Sequence, residues 1–275
     1  MAYKNLTDMH THTDNSFDGN CSVMLLCEQA VHKCIKTIAF TDHFDVDFYE
    51  EHNLAMRQVH GFFEISKAKE AFKGKLNVLL GIELGQPTYD LELTEKSLKK
   101  FNYDFVIGSI HNLRKMPDFG DLKYPEMTDD EIYGLLEQYF KEELLLAQWN
   151  KFDTLAHLTY PLRYLAACGR NDITTERFGD IIDEIFKTLA QNGKALEINT
   201  SGLRQPIGKT MPSEEYVRRF KELGGELITV GSDAHFAEHI GAGIKEGFEI
   251  AKAAGFDYVT IFEKRKPISV KIEKL

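Results

Sequence analysis

Several features are scarce in this chain of 275 residues. No apolar run approaches the ~20 residues that cross a bilayer, and the N-terminus lacks the apolar stretch of a secretory signal. A membrane partner is therefore not expected, and a cytoplasmic address is. The four cysteines, Cys21, Cys27, Cys34 and Cys168, show no Cys-x-x-Cys spacing, which argues against a zinc knuckle or a disulfide framework. They read as reduced, mostly buried thiols without a function. Basic charge is also short. Lys and Arg number 33 against 43 Asp and Glu, and the net charge of −10 has the wrong sign for a nucleic-acid backbone or an anionic membrane surface. No G-x-G-x-x-G fingerprint supports a dinucleotide-binding sheet, and no low-complexity segment or linker divides the chain. With 43% hydrophobic residues, a single domain over 1–275 is expected.

What the chain does have is ligand-type residues at the ends of apolar runs. Residues 6–18 begin as an extended run in which His10 and His12 project from one side, because strand side chains alternate with period two. That pair is a bidentate metal clip, although an isolated His-x-His is more often an ordinary surface feature. The same event then recurs. Further strands are expected over 35–40, 77–84, 104–110, 152–156, 195–199 and 226–230. Helical stretches separate most of them. They include 22–34, capped by Ser22, then 53–72 and 91–101, one opened by the Thr128/Glu131 capping box, and one capped by Ser213. Segments 44–51 and 112–127 read as loops, 158–171 as a loop or broken helix, and 258–274 as a strand followed by a basic hairpin-like tail.

Seven strands alternating with helices argue for a parallel sheet, and ligand residues at nearly every carboxyl end favour a closed barrel over an open doubly wound sheet. In a barrel those ends meet on one face. The candidates are His10, His12, Asp18, His43, Glu83, His111, His157, Asp233 and His235, which take six of the ten histidines. One zinc needs about four ligands, so this set implies two or three ions. His32, His52, His60 and His239 lie in or beside helical stretches and read as ordinary surface or partly buried residues.

Asp8-Met-His10-Thr-His12, Thr41-Asp42-His43, Gly81-Ile-Glu83, Ser109-Ile-His111, Ala156-His157 and Gly231-Ser-Asp233-Ala-His235 together resemble the ordered motifs of the PHP (polymerase and histidinol phosphatase) superfamily. The resemblance implies an α/β fold, a distorted TIM-like (β/α)7 barrel, with two to three divalent ions of zinc, manganese or iron. By that resemblance His10, His12, Glu83 and Asp233 hold one ion. Glu83 bridges to a second held by His111 and His157, and Asp18, His43 and His235 hold the third, with Asp18 standing where some members have His. Tyr160-Pro-Leu-Arg163 and Asn199-Thr-Ser-Gly-Leu-Arg204, with the absence of a polymerase module, resemble the stand-alone histidinol-phosphate phosphatases.

The implied reaction is hydrolysis of a small phosphate monoester, L-histidinol phosphate, by a hydroxide bridging two metals. Arg163 and Arg204 bind the phosphate or the substrate near it. Asp233, His43 and His235 are the candidates for protonating the leaving alkoxide. Asp8, Asp42 and Glu197 are candidates for orienting ligand histidines, and Asp118, Asp121 and Glu126 for meeting the substrate amine. Three divalent ions against Asp18, Glu83 and Asp233 leave the pocket at about +3, which suits a phosphate dianion within an acidic protein. A nuclease, a phosphatase for another ester, and a non-catalytic module are the competing readings, and the oligomeric state stays unassigned.

Overall fold

The buried apolar runs do become strands. In the computed structural model, which describes residues 3–274, these are β1 (Leu6–Thr11), β2 (Ile35–Phe40), β3 (His43–Asp45), β4 (Asn77–Gly85), β5 (Phe105–Ser109), β6 (Thr154–Leu155), β7 (Ala195–Asn199) and β8 (Ile228–Gly231). Hydrogen-bonded neighbours run β1-β2-β4-β5-β6-β7-β8, all parallel, and β3 lies beside the upper half of β4. Backbone bonds from Asp233 N to His10 O (2.8 Å) and from His12 N to Ala234 O (2.9 Å) join the exit of β8 to β1 and nearly close a seven-stranded barrel. The helices α1 (Val23–His32), α2 (Leu54–Ala71), α3 (Leu91–Lys100), α4 (Asp129–Trp149), α5 (Leu162–Ala167), α6 (Gly179–Gln191), α7 (Glu214–Glu222) and α8 (Ile244–Ala253) lie between strands in sequence.

A C-terminal antiparallel hairpin, β9 (Tyr258–Glu263) and β10 (Lys266–Lys271), closes the opposite end. Ile261 and Phe262 enter the barrel and pack with Met9, Leu79, Phe105, Ile107 and Ala195, the Phe105 and Phe262 rings lying 5.3 Å apart. Arg265 pairs with Asp153, and its N–H donates to Asp104 O at 2.8 Å. Both partners precede strands, so the hairpin plugs the amino end and leaves only the carboxyl rim open.

Local signals account for several helix starts. Ser22 caps α1, and at α4 both halves of the Thr128/Glu131 capping box are made. Ser213 occupies the N-cap of α7, but its hydroxyl donates to Glu215 at 3.0 Å instead of accepting a backbone N–H. The expected loop over 44–51 holds the end of β3 and a 3-10 turn, and the segment after His157 contains α5. The strand expected over 152–156 is only two residues long, and just before it the Asp153 carboxylate accepts from the Val106 N–H at 2.8 Å. All four cysteines are free, but only Cys27 is buried. Cys34 and Cys168 are exposed because they sit in the turns that follow α1 and α5. Among the described residues, no helix is long and apolar enough to cross a membrane.

Glu143 is a polar intrusion on the buried face of α4, and neither carboxylate oxygen has a hydrogen-bond partner. Burial pushes its carboxyl up from 4.5 to about 8. Between those values the unfolded chain has released a proton that the native state keeps, so stability falls as pH rises through the window and levels off above it. Glu143→Gln is expected to be nearly neutral at pH 5 and stabilising by ~3 kcal/mol at pH 8, read from urea unfolding at both values. Phe262→Ala is expected to cost about 3 to 5 kcal/mol by emptying the plugged end of the barrel, read as a lower urea midpoint with unchanged far-UV dichroism.

Candidate metal centre

Period-two alternation in β1 turns His10 and His12 into the barrel mouth, where both are fully buried. His10 Nδ1 lies 2.7 Å from Glu197 Oε1, a carboxylate that only accepts, so Nδ1 carries the proton and Nε2 the lone pair. His12 is set the same way. The Ser16 hydroxyl donates to Asp42 at 3.2 Å and lies 3.0 Å from His12 Nδ1, so Nδ1 donates to it. Burial and the neighbouring His235 and His43 push His12 down to about 3, which keeps the ring neutral.

Glu83, buried on β4, is the centre of the cluster. Its Oε2 lies 3.2 Å from His10 Nε2, 3.5 Å from His12 Nε2 and 3.1 Å from His43 Nδ1. Its Oε1 lies 3.2 Å from His111 Nε2 and 3.1 Å from His157 Nε2, and those two nitrogens are 3.3 Å apart. Burial alone raises a carboxyl, but His10, His43 and His111 hold Glu83 well below the usual range.

Asp233 and His235 follow β8. Asp233 takes the left-handed conformation (φ +53°), uncommon for a residue with a side chain, and two bonds hold it there. Its N–H donates to His10 O at 2.8 Å, and its carbonyl accepts from Arg204 Nη2 at 2.8 Å. The turn places Asp233 Oδ1 3.8 Å from His10 Nε2 and 3.5 Å from His12 Nε2. His235, half-buried, stacks on His12 at 4.1 Å and lies 3.0 Å from Asp18 Oδ2, which is also 3.7 Å from His43 Nε2.

All nine candidates therefore meet at one rim. Three triads have donor atoms within 4.8 Å of one another, namely His10/His12/Glu83, His43/Glu83/His111 and His12/His43/His235. Asp18 belongs to none of them and is the most exposed of the nine, its side chain 40% accessible. Buried His10 Nε2, His12 Nε2, His43 Nδ1 and Glu83 Oε2 have no hydrogen-bond partner. Lone pairs converging in a dry site repel unless protons or cations stand between them, and imidazole and carboxylate donors at these spacings suit divalent ions.

The supporting residues divide unequally. Glu197 touches the cluster directly, since its second oxygen accepts from His157 N at 2.9 Å. Asp42 acts through Ser16, whereas Asp8 binds Ser232 and Gly241 and fixes the loop after β8 that carries Asp233 and His235. Asp45 escaped the sequence reading. Its Oδ1 lies 2.7 Å from His111 Nδ1 and its Oδ2 3.3 Å from His43 Nδ1. The signal was there, because His43-x-Asp45 repeats the period-two spacing of His10-x-His12. Gly231 lets the His10–Glu197 pair close, since a Cβ there would stand 2.6 Å from Glu197 Oε1.

Above the cluster lies a cavity of about 880 Å3, lined by Arg163 and Arg204, with Asp118 and Asp121 on the loop side. Arg163 Nη1 is 3.7 Å from Asp233 Oδ2. Glu126 is exposed and off the cavity. His52 and His239, expected to be ordinary helix-side residues, line it, and His52 stacks on Phe17 at 4.2 Å.

Comparison with known proteins gives a consistent result. A family model described as the PHP domain matches residues 8–201. A probable histidinol-phosphatase of Thermotoga maritima is 32% identical over 97% of this chain and 100% of its own length. The histidinol-phosphatase of Lactococcus lactis is 27% identical over 94% of this chain and 95% of its own. A crystal structure of the Lactococcus lactis histidinol phosphate phosphatase, complexed with zinc, L-histidinol and phosphate, superposes with a TM-score of 0.80, covering 96% of this chain and 99% of that one.

Glu197→Gln keeps the shape of the side chain but removes the charged acceptor of His10 Nδ1–H. Affinity for a divalent cation is expected to fall about 10- to 100-fold, read as metal retained after equilibration in a metal buffer.

Proposed function

This chain belongs to the PHP domain family, and from that premise we propose that it is a metal-dependent phosphomonoesterase that hydrolyses L-histidinol phosphate to L-histidinol and phosphate, a step of histidine biosynthesis. The observation that carries the reading is the convergence of unpartnered imidazole and carboxylate atoms on Glu83, beneath a cavity holding two arginines. Relatives over nearly the whole length are named histidinol-phosphatase or probable histidinol-phosphatase, and the Lactococcus lactis neighbour is complexed with zinc, L-histidinol and phosphate.

In this reading His10, His12, Glu83 and Asp233 hold one ion, Glu83 with His111 and His157 a second, and Asp18, His43 and His235 a third. The donor set accepts zinc, manganese or iron. When bound, such ions polarise the phosphoryl oxygens and acidify water enough to serve as the nucleophile near neutral pH. The chain supplies the rest. Arg163 and Arg204 bring N–H donors to the phosphoryl oxygens, Arg204 being steadied by its bond to Asp233 O. Asp233, His43 and His235 line the cavity, and the protonation of the leaving oxygen is assigned to this group. Asp118 and Asp121 give the outer cavity a negative wall for the substrate ammonium. We read 1–275 as one functional unit and, with four free cysteines, as cytoplasmic.

Metal-loaded enzyme is expected to turn over L-histidinol phosphate at least ~100-fold faster than unrelated sugar or nucleotide phosphates, and chelation to abolish the activity. His10→Ala is expected to lower kcat/KM about a thousandfold with loss of bound metal, read by phosphate release and elemental analysis. Equal turnover of unrelated esters would remove the substrate assignment.

A further inference from the structure

Arg163 is held in a way that leaves its charge in place. Among the described residues the only carboxylate within 4.0 Å is Asp233, and at 3.7 Å it is too far to hydrogen-bond. Nη2 instead donates to the Tyr164 hydroxyl at 2.6 Å. The guanidinium carbon lies 4.1 Å from the centre of the Tyr160 ring and 4.7 Å from that of Tyr164. The two tyrosine hydroxyls are 2.8 Å apart, and Tyr160 donates to Asp118, 3.3 Å from each carboxylate oxygen. Asp118 is itself fixed by the Gly120 N–H at 2.6 Å.

Proton counting gives this chain one direction. Each hydroxyl owns a single hydrogen. Tyr160 gives its own to Asp118, so the proton between the tyrosines comes from Tyr164, whose oxygen then accepts from Arg163. The chain ends on a carboxylate, and each bond polarises the next. Arg163 Nε is buried without a partner, and Nη1 makes no hydrogen bond among the described residues. A carboxylate paired directly with the guanidinium would cancel much of its attraction for a phosphate dianion, whereas a neutral oxygen fixes the group and leaves the charge. The turn around Gly120 lies flat on this device, since a Cβ there would stand 3.0 Å from two Tyr164 ring carbons.

We propose that Tyr164 is a positioning residue for phosphate binding, backed by Tyr160 and Asp118, which orients Arg163 through neutral oxygens without neutralising it. The role rests on the reading of Arg163 as a phosphate-binding residue. Tyr164→Phe keeps the ring and its packing and deletes only the hydroxyl. The test is calorimetric titration of inorganic phosphate into metal-loaded wild type, Tyr164→Phe, Arg163→Ala and the double variant, with bound metal checked by elemental analysis and kcat and KM measured on L-histidinol phosphate. Phosphate Kd is expected to rise about tenfold in Tyr164→Phe, with KM rising more than kcat falls and metal content unchanged. Adding Tyr164→Phe to Arg163→Ala is expected to cost nothing further, because the hydroxyl acts only through that side chain. Unchanged phosphate affinity in Tyr164→Phe, or an equal loss in the Arg163→Ala background, overturns the positioning role alone. A metal-loaded wild type that takes up no phosphate overturns the underlying reading and this role together.

Discussion

Everything at the rim depends on Glu83, a carboxylate buried among imidazoles whose lone pairs point at it. Five histidines, three of them with a partnerless buried nitrogen facing the site, come within 3.5 Å of its two oxygens. Such an arrangement is repulsive in a dry site unless positive charge is shared out among the donors. His10, His43 and His111 hold the Glu83 carboxyl down despite its burial, and in turn Glu197 and Glu83 hold His10, and Asp45 and Glu83 hold His111, well above an ordinary imidazole. Divalent ions would meet the same demand with more charge and fixed directions.

That demand extends outward in layers. Glu197, Ser16 and Asp45 each engage a ring nitrogen and so decide which nitrogen of His10, His12 and His111 faces inward. Gly231 gives up a side chain so that the first of these pairs can close, and Asp233 keeps a costly backbone conformation because bonds to β1 and Arg204 leave it no alternative. The hairpin of β9 and β10 contributes from the far side. By filling the amino end with Ile261 and Phe262 it makes the barrel a cup with one mouth.

Much of this was legible from pattern alone. The strand positions in β2, β4 and β7, the capping box of α4 and the collection of nine ligand-type residues are local events, each marked by a few neighbouring side chains. Three features were not. β3 is too short to show a period, and it exists because the part of β4 beyond its pairing with β2 offers His43, Phe44 and Asp45 parallel partners. The exposure of Cys34 and Cys168 follows from where two turns fall on the surface, which composition does not encode. Asp45 was passed over because its segment read as an irregular acidic loop, and a carboxylate there gains meaning only once His111 is brought beside it.

By itself, then, the sequence determined the alternation of strands and helices, the polar residue at each strand end, and the kind of chemistry those residues support, because each of these is written in contiguous side chains. Tertiary structure alone decided how closely five imidazoles crowd Glu83, which nitrogen each of His10, His12 and His111 presents, and that Arg163 is held by a tyrosine and not a carboxylate. The central contacts among them join residues far apart in the chain, such as His10 and Glu197 or Tyr160 and Asp118, and only the folded barrel brings these together.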